Sequence, residues 1–303
     1  MKKTIVIGAG FGGLALAIRL QAAGVSTLLV EQRDKPGGCA YVWQQEGFTF
    51  DAGPTVITDP GAFEQLFTLA GKVLSDYVEL LPVTPFYRLC WESGRVFDYH
   101  NDEVQLEKQI HQFNPSDVAG YRRFLAYSRA VFHEGYLRLG TVPFLSFRDM
   151  LRAGPQLIRL QAWRSVYDKV SHYIRDEHLR QAFSFHSLLV GGNPFTTSAI
   201  YTLIHALERQ WGVWFARGGT GALVQGLVDL FRSLGGEIAL NTRVTRIEVN
   251  DDIVNAVQLS DGRQIAVQAL ASNADVIHTY HTLLGHHSTG RARASRLKRN
   301  KDK

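Results

Sequence analysis

The sequence predicts an α/β protein in which a domain with a parallel sheet is interrupted by a mostly helical insert. Three observations support this fold class. The first forty residues read as strand, glycine-rich turn, helix and second strand. The middle of the chain shows helical spacing and crowded aromatic residues. Short β-branched runs separated by glycine turns return after about residue 211.

The composition is typical of a globular protein that does not span a membrane. The chain has 303 residues, of which 45% are hydrophobic and 20% are charged. No apolar run reaches the roughly 18 residues of a membrane-spanning helix. Because no signal-peptide pattern follows the first residues, we expect a cytoplasmic protein. Two cysteines and scattered histidines indicate neither a disulfide framework nor a metal site.

The positive charge is concentrated at the C-terminal end. The net charge is +5, and residues 291–303 hold seven Arg or Lys and one Asp, so the other 290 residues sum to −1. A basic tail can bind nucleic acid or anionic lipid. A solvated, disordered end is the simpler interpretation, so we expect disorder in residues 286–303 and no nucleic-acid partner.

The first strand–helix–strand unit carries a glycine motif with a defined physical role. TIVIGAG predicts a buried parallel strand, and Gly8, Gly10 and Gly13 open the helix that follows. Gly8 permits a tight turn, Gly10 lets the backbone approach a diphosphate, and Gly13 lets the helix pack on the strand. The second strand, STLLVE, ends at Glu31.

This arrangement predicts dinucleotide binding. The N-terminus of the helix presents free N–H groups and the positive end of its dipole to phosphates. Glu31 can accept hydrogen bonds from a ribose diol and would repel a 2′-phosphate, which argues against NADP. The glycine motif alone is weak evidence, but here both strands, the helix and the acid accompany it. The alternative is a glycine-rich turn that binds nothing.

The next segment distinguishes between NAD and FAD through a resemblance. EQRDKPGGCAYVWQQEGFTFDAGPT resembles the second signature of the flavin-dependent phytoene desaturase and amine oxidase superfamily. Glu31, Arg33, Gly37 and Gly38 match that signature, which implies that FAD is the cofactor. At position 39 the family has an arginine that lies along the FAD diphosphate, and this chain has Cys39.

Cys39 is therefore expected to weaken FAD binding. A thiol cannot replace a planar, permanently charged donor. A free cysteine is more often a small buried hydrophobe than a reactive group, so we expect a loss of affinity rather than a new nucleophile.

The same resemblance implies further cofactor contacts. Asp51 and Gly53 follow a short strand in a turn that passes close to the flavin in this family. Val244 lies in a later strand that passes the adenine side. An ordinary turn and an ordinary sheet strand are the alternatives.

Aromatic residues crowd the middle of the chain. Residues 113–215 contain 18 of the 33 Phe, Trp and Tyr. A packed helical core would explain them, and so would an apolar cavity or a face in the lipid interface. These residues alone do not decide between the explanations.

Several longer stretches resemble the bacterial-type phytoene desaturases, with similarity from residue 1 to about 285. They are VPFLSFRDMLRAGPQL, AFSFHSLLVGGNPF, IYTLIHALERQWGVWF and RGGTGALVQGLVDLF. The resemblance implies a Rossmann-type FAD-binding domain, a mostly helical insert that faces the substrate and the membrane, and part of a substrate-domain sheet. It further implies desaturation of phytoene, a hydrophobic polyene, towards lycopene by a protein peripheral to the inner face of the cell membrane.

The domain organisation expected from this resemblance is discontinuous. We expect residues 1–82 and 211–285 to form an incomplete FAD-binding domain, 83–210 the insert and 286–303 the tail. In the family the chain continues beyond this point, so we expect a truncated protein. An inactive flavoprotein fragment, a carotenoid isomerase or another flavin oxidase on the same scaffold are the alternatives.

Asp149 is the candidate for proton chemistry beside the flavin. It stands among apolar residues in SFRDMLR, between Arg148 and Arg152, which would share one face of a helix. Asp149 could accept a proton or stabilise a carbocation, and the two arginines could hold or tune its carboxylate. A helix cap or a surface salt bridge is the alternative.

Overall fold

The computed structural model describes residues 3–144 and 146–301. Its strands are β1 Lys3–Ile7, β2 Thr27–Val30, β3 Val42–Gln45, β4 Phe48–Asp51, β5 Leu80–Pro82, β6 Tyr87–Cys90, β7 Val96–Tyr99, β8 Trp214–Ala216, β9 Glu237–Ala239, β10 Val244–Asn250, β11 Ile253–Leu259 and β12 Gln264–Ser272. Its helices are α1 Phe11–Ala22, α2 Pro60–Leu69, α3 Glu103–Phe113, α4 Asp117–Phe132, α5 Phe147–Arg159, α6 Val166–Tyr173, α7 Glu177–Ser184, α8 Leu203–Trp211, α9 Thr220–Ser233, α10 Val276–His278 and α11 Ser288–Lys301.

The chain divides into two compact units. The first unit combines Met1–Leu81 with Phe215–Lys303, and the second is Pro82–Trp214. The sequence placed these boundaries at residues 82 and 210, which differ from the structure by one and four residues. The first unit is therefore discontinuous in sequence, and the second is inserted into it.

A six-stranded sheet forms the centre of the first unit, in the order β10-β11-β12-β1-β2-β9. The strands β12, β1, β2 and β9 are parallel, and β10, β11 and β12 are antiparallel. The run of Ile and Val in β1 is buried, as expected for a central parallel strand. Helix α1 connects β1 to its neighbour β2 and completes the predicted strand–helix–strand unit.

Strand β12 joins the antiparallel and the parallel parts of this sheet. Its first residues pair with β11, and Ala269 to Ser272 pair with β1. As a result the carboxyl ends of β1, β2 and β12 lie side by side, at Ile7, Val30 and Ser272. In open α/β sheets, ligands bind outside these ends.

The second unit is mostly helical and has an aromatic core. It contains helices α3 to α8 and the hairpin of β6 and β7, and α3 packs against β7. Rings of Tyr121 and Phe183 stack 5.2 Å apart, and Phe97 meets Phe183 edge to face at 5.9 Å. These rings are fully buried. Part of the aromatic crowding in the sequence is therefore core packing.

The C-terminal end differs from the sequence expectation. We expected residues 286–303 to be disordered, but Ser288–Lys301 forms helix α11. Arginine, lysine and alanine are strong helix formers, which favours this conformation in spite of the charge. Ala294 is buried, and the Arg291 side chain donates to the backbone oxygen of His286 at 2.7 Å. The helix contradicts the expected disorder over Ser288–Lys301, and residues 302–303 of the expected tail lie outside the described residues.

The described residues contain neither a candidate membrane span nor a cluster of metal-ligating side chains. Within residues 3–144 and 146–301, no helix combines the length and the apolarity needed to cross a bilayer. Over the same ranges, no group of three or more His, Cys, Asp or Glu side chains is arranged to hold a metal ion.

Candidate nucleotide-binding site

The first glycine-rich loop lies at the carboxyl end of β1 and leads into α1. Gly8 has a φ of 92°, a conformation that side chains other than hydrogen rarely permit. A methyl group on Gly13 would stand 1.9 Å from the backbone oxygen of Gly8. Gly13 is therefore required for packing of the helix on the loop. Gly10 immediately precedes the helix, whose first N–H groups have no partners within the helix.

A second glycine-rich segment packs against the first. The backbone N–H of Gly37 donates to the oxygen of Ala9 at 2.8 Å, and Gly37 has a φ of 123°. A methyl group on Gly38 would meet the Cα of Gly10 at 3.0 Å. Because both segments lack side chains at this contact, their backbones approach closely. The two glycine-rich segments of the sequence thus pack together and form a glycine cradle.

The Glu31 carboxylate, directly after β2, holds the glycine cradle together. It is 6% exposed, and its two oxygens accept hydrogen bonds from the backbone N–H groups of Ala9 and Arg33 at 2.8 and 2.9 Å. The sequence predicted hydrogen bonds from Glu31 to a ribose diol. Each carboxylate oxygen can accept a second hydrogen bond, so that role stays a prediction beside the structural one.

A cavity of about 630 Å³ opens beside the two loops. Among the predicted cofactor residues, six line it: Gly8, Gly10, Glu31, Gly37, Gly38 and Val244. Arg33 and Arg243 add two cationic side chains to its wall. A glycine cradle at a helix N-terminus, beside arginines and a buried acid, fits a dinucleotide diphosphate and ribose.

Asn273 is a residue of this site that sequence reasoning did not select. It follows β12 and lines the cavity, and its backbone N–H donates to the Ile7 oxygen at 2.8 Å. Its side chain fills the space above the first loop, since a methyl group on Gly12 would stand 2.5 Å from its Oδ1. The available signal was the stretch QALASNAD at residues 268–275, which contains the end of β12 and which the parallel sheet brings to the end of β1.

Cys39 is exposed and lines the cavity, contrary to the buried position typical of a free cysteine. The backbone here packs against Gly53, where a methyl group would stand 2.1 Å from the Cys39 oxygen. The exposure of the thiol is thus observed at a position whose backbone oxygen is covered by Gly53. The predicted loss of FAD affinity relative to arginine stays a prediction.

Three predicted cofactor residues do not line the cavity. Gly13 and Gly53 act through close backbone packing. Asp51 lies at the N-terminus of α9, where its Oδ2 accepts the backbone N–H of Thr220 at 3.2 Å. The Thr220 hydroxyl donates to the oxygen of Pro54, a cavity residue, at 2.6 Å. Asp51 thus fixes the loop that forms one wall, and direct contact with a cofactor stays a prediction for it.

Asp149 lies in the second unit, in the first turn of α5. Its Oδ2 accepts hydrogen bonds from the backbone N–H and the hydroxyl of Ser146 at 3.0 and 2.8 Å. This is the capping arrangement that was the alternative interpretation. Arg148 and Arg152 are exposed on the same helix. The catalytic assignment of these three residues stays a prediction, and the geometry supplies a structural role for Asp149.

Comparison with known proteins identifies the family to which this site belongs. The model of the flavin containing amine oxidoreductases matches residues 11–297. The chain therefore belongs to this family. Its predicted fold class is confirmed, and FAD is the dinucleotide for which the glycine cradle is suited.

Curated relatives show closer similarity. The chain is 74% identical over 299 residues to a lycopene-forming phytoene desaturase of Pseudescherichia vulneris, covering 99% of this chain and 61% of that protein. It is 72% identical over 297 residues to a lycopene-forming phytoene desaturase of Pantoea ananas, covering 98% and 60%. The resemblance found in the sequence is confirmed. The chain spans about 60% of the length of these relatives.

Solved structures share the fold at low sequence identity. An oxidoreductase from Methanosarcina mazei aligns with a TM-score of 0.65 and 18% identity, covering 98% of this chain and 64% of that one. The cyclohexylamine oxidase from Brevibacterium oxydans aligns with a TM-score of 0.56 and 19% identity, covering 93% and 60%. At this identity the comparison supports the fold alone.

Proposed function

We propose that this chain binds FAD in the cavity of the first unit and serves the desaturation of phytoene towards lycopene. The observation that carries the proposal is the 74% identity to a lycopene-forming phytoene desaturase, over nearly the whole chain. The glycine cradle, Glu31 and the cavity give that similarity a physical basis, because they supply the surroundings that a dinucleotide requires.

Each part of the site has a task in this function. FAD, when bound, supplies the hydride acceptor. The first glycine loop and the start of α1 would hold the diphosphate through backbone N–H groups. Arg33 and Arg243 would add charge-assisted hydrogen bonds, and Glu31 keeps both loops in place. Val244 would pack beside the adenine.

We also propose that the second unit attaches to the membrane surface through α5. Met150, Leu151 and Ile158 of this helix are 49%, 59% and 64% exposed. Arg148 and Arg152 lie one turn apart on an adjacent face and are exposed as well. An exposed apolar stripe beside a row of arginines is typical of helices that lie in the interface of anionic bilayers. Such a surface would give access to a polyene dissolved in the membrane.

A second possibility is that the chain binds FAD without turning over a substrate. The chain spans about 60% of the length of its curated relatives, and an assay of this chain tests that portion alone. Two measurements separate the possibilities. Purified protein reconstituted with FAD should show flavin absorption, and incubation with phytoene in liposomes should give desaturated products on chromatography.

The outcomes distinguish binding from catalysis. Bound flavin with products supports the desaturase, and bound flavin without products supports a binding chain. Absence of bound flavin at saturating FAD contradicts both. A Cys39→Arg variant tests the family signature in the same assay, because it should bind FAD more tightly. Equal FAD occupancy of the two proteins would contradict the predicted effect of Cys39.

A further inference from the structure

The second unit carries a groove of about 380 Å³, and none of the described residues that line it has a charged side chain. Its wall is formed by the end of β6, the helices α6 and α7, the 3₁₀ turn Phe185–Val190 and the loop that follows this turn. This volume lies within the range of small-molecule sites. The apolar part of the wall consists of Leu89, Trp91, Phe185, Leu188, Pro194 and Phe195. We refer to this feature as the apolar groove.

The polar side chains in the wall of the apolar groove already have hydrogen-bond partners. The Gln181 side-chain oxygen accepts the indole N–H of Trp91 at 2.7 Å, and the Tyr167 hydroxyl donates to Glu177 at 2.7 Å. The Ser184 hydroxyl donates to a backbone oxygen one turn earlier in its helix, at 2.7 Å. A polar ligand would lose its hydration and would have to compete for these groups, whereas an apolar ligand requires no partner. The wall therefore favours an apolar ligand.

Large apolar side chains of the apolar groove are exposed to solvent. Leu188 is 59% exposed and Phe195 is 63% exposed. The loop that carries Phe195 is held against α6, because the backbone N–H of Tyr167 donates to the Pro194 oxygen at 3.0 Å and the rings of Tyr167 and Phe195 lie 4.6 Å apart. Exposed apolar surface at a groove is typical of a binding site. A bound hydrocarbon would remove this surface from water.

The aromatic core supports the apolar groove from within. Phe185 lines the groove, and its ring meets that of Tyr87 edge to face at 4.9 Å. Trp91 lines it as well, and its ring meets that of Phe113 at 5.8 Å. Because these side chains are packed from both sides, the wall does not have to be ordered when a ligand binds. Core packing and an apolar cavity therefore both contribute to the aromatic crowding seen in the sequence.

We propose that the apolar groove binds an uncharged isoprenoid hydrocarbon chain. A charged ligand would place its charge against a wall with no charge to pair it, so the electrostatics of the wall match a neutral chain. A second copy of this protein is a poorer occupant. Even with Leu189 and Val190 added, the exposed apolar side chains of Leu188 and Phe195 offer far less than the roughly 800 Å² per partner of a stable interface.

This site deepens the proposed function, on which it rests for the identity of the chain as a segment of the polyene. Its test is separate, because it requires neither flavin nor turnover. The probe is cis-parinaric acid, a conjugated polyene whose fluorescence increases in apolar surroundings, added to the purified chain below its critical micelle concentration. The fluorescence increase should saturate, and farnesol, an uncharged isoprenoid alcohol, should displace the probe. Absence of saturable binding, or a probe that farnesol does not displace, would overturn the proposal while leaving FAD binding and desaturation untouched.

Variants locate the binding. Leu188→Asp should weaken probe binding at least about tenfold, because it sets an unpaired charge against the bound chain. Leu189→Asp is the matched control, since its neighbouring leucine is 46% exposed and is not a lining residue, and it should keep the affinity. Phe195→Ser, at another exposed lining position, should weaken binding even if Leu188→Asp does not fold.

Two results would contradict the assignment to the apolar groove. One is an unchanged affinity in the Leu188 or Phe195 variant that folds. The other comes from gel filtration: a dimer of the unaltered chain that dissociates in Leu188→Asp, without probe binding, would assign this surface to a second copy instead.

Discussion

The carboxylate of Glu31 accepts a hydrogen bond from the backbone N–H of Ala9 at 2.8 Å. Ala9 lies inside the first glycine loop, and the other carboxylate oxygen of Glu31 accepts from Arg33 in the second segment at 2.9 Å. One buried side chain therefore connects the two glycine-rich segments to the end of β2. The connection helps to fix the wall of the cavity, which Glu31 and Arg33 both line.

Glu31→Gln should weaken both the fold and FAD binding. An amide has one oxygen, so its NH₂ group must face one of the two backbone N–H donors. Leaving that buried donor unpaired should lower the free energy of unfolding by about 1–3 kcal/mol. Urea unfolding measures this loss, and flavin titration measures the affinity. Glu64→Gln, on the exposed side of α2, is the matched control. Unchanged stability in the Glu31 variant would contradict the connecting role.

Gly13→Ala should destabilise the first unit strongly. The added methyl group would stand 1.9 Å from the backbone oxygen of Gly8, and neither backbone can move without separating α1 from β1. The expected loss is about 3 kcal/mol or more. The control is Gly61→Ala in α2, which has only an ordinary contact and should gain about 0.5–1 kcal/mol from helix propensity. Similar melting temperatures for the two variants would refute the packing argument.

The stability of the chain should depend on His205 in mild acid. Burial lowers the pKa of His205 well below its usual 6.5, and the charges of Arg209, His186 and Arg129 lower it further. The unfolded chain binds a proton near pH 6.5 that the folded chain does not. The contribution of His205 to the free energy of unfolding is therefore constant above pH 6.5. As the pH decreases from 6.5, this contribution decreases by up to about 1.4 kcal/mol per pH unit.

Removal of the imidazole tests this dependence. In His205→Gln, the free energy of unfolding should depend less steeply on pH between pH 6.5 and 5. The slope should decrease by up to about 1.4 kcal/mol per pH unit, which corresponds to one proton. His111→Gln, at an exposed histidine, is the matched control. Chemical unfolding at several pH values measures both. A slope that stays the same in the His205 variant would show that this histidine is not the responsible group.

Replacing Met150 and Leu151 together by serine should reduce binding to anionic vesicles. Both side chains are about half exposed, so the change removes apolar area from the proposed membrane face with little effect on the core. Val104→Ser alters another exposed apolar residue of the same unit, 64% exposed on α3, and should bind as before. Vesicle flotation measures the difference. Equal losses in the two proteins would argue against a specific role for α5.

The sequence predicted the parts of the site that are encoded by local spacing. Gly8, Gly10 and Gly13 are close in sequence, and their roles follow from one strand, one turn and one helix. Glu31 was selected for the same reason. Its hydrogen bonds to backbone N–H groups could not be predicted, because they depend on how the second glycine segment folds back onto the first.

Contacts between residues far apart in sequence account for most of the differences between the sequence predictions and the structure. Asn273 lies more than 250 residues from the first loop, and only the pairing of β12 with β1 brings it there. Asp51 accepts the backbone N–H of Thr220 at the start of α9, 169 positions along the chain, and its expected contact with the flavin stays a prediction. Helix α11 formed where charge suggested disorder, since helix propensity and the burial of Ala294 outweigh the repulsion.

The central claim is that a flavin dinucleotide occupies the glycine cradle of the first unit, and Cys39 is positioned to report it. Its thiol is exposed and lines the cavity, while the exposed Cys90 belongs to the second unit and serves as the internal control. Alkylation with iodoacetamide, followed by peptide mass spectrometry, gives the rate at each thiol. Saturating FAD should slow the reaction of Cys39 at least about tenfold and leave Cys90 unchanged. Equal rates at Cys39 with and without FAD would contradict the account.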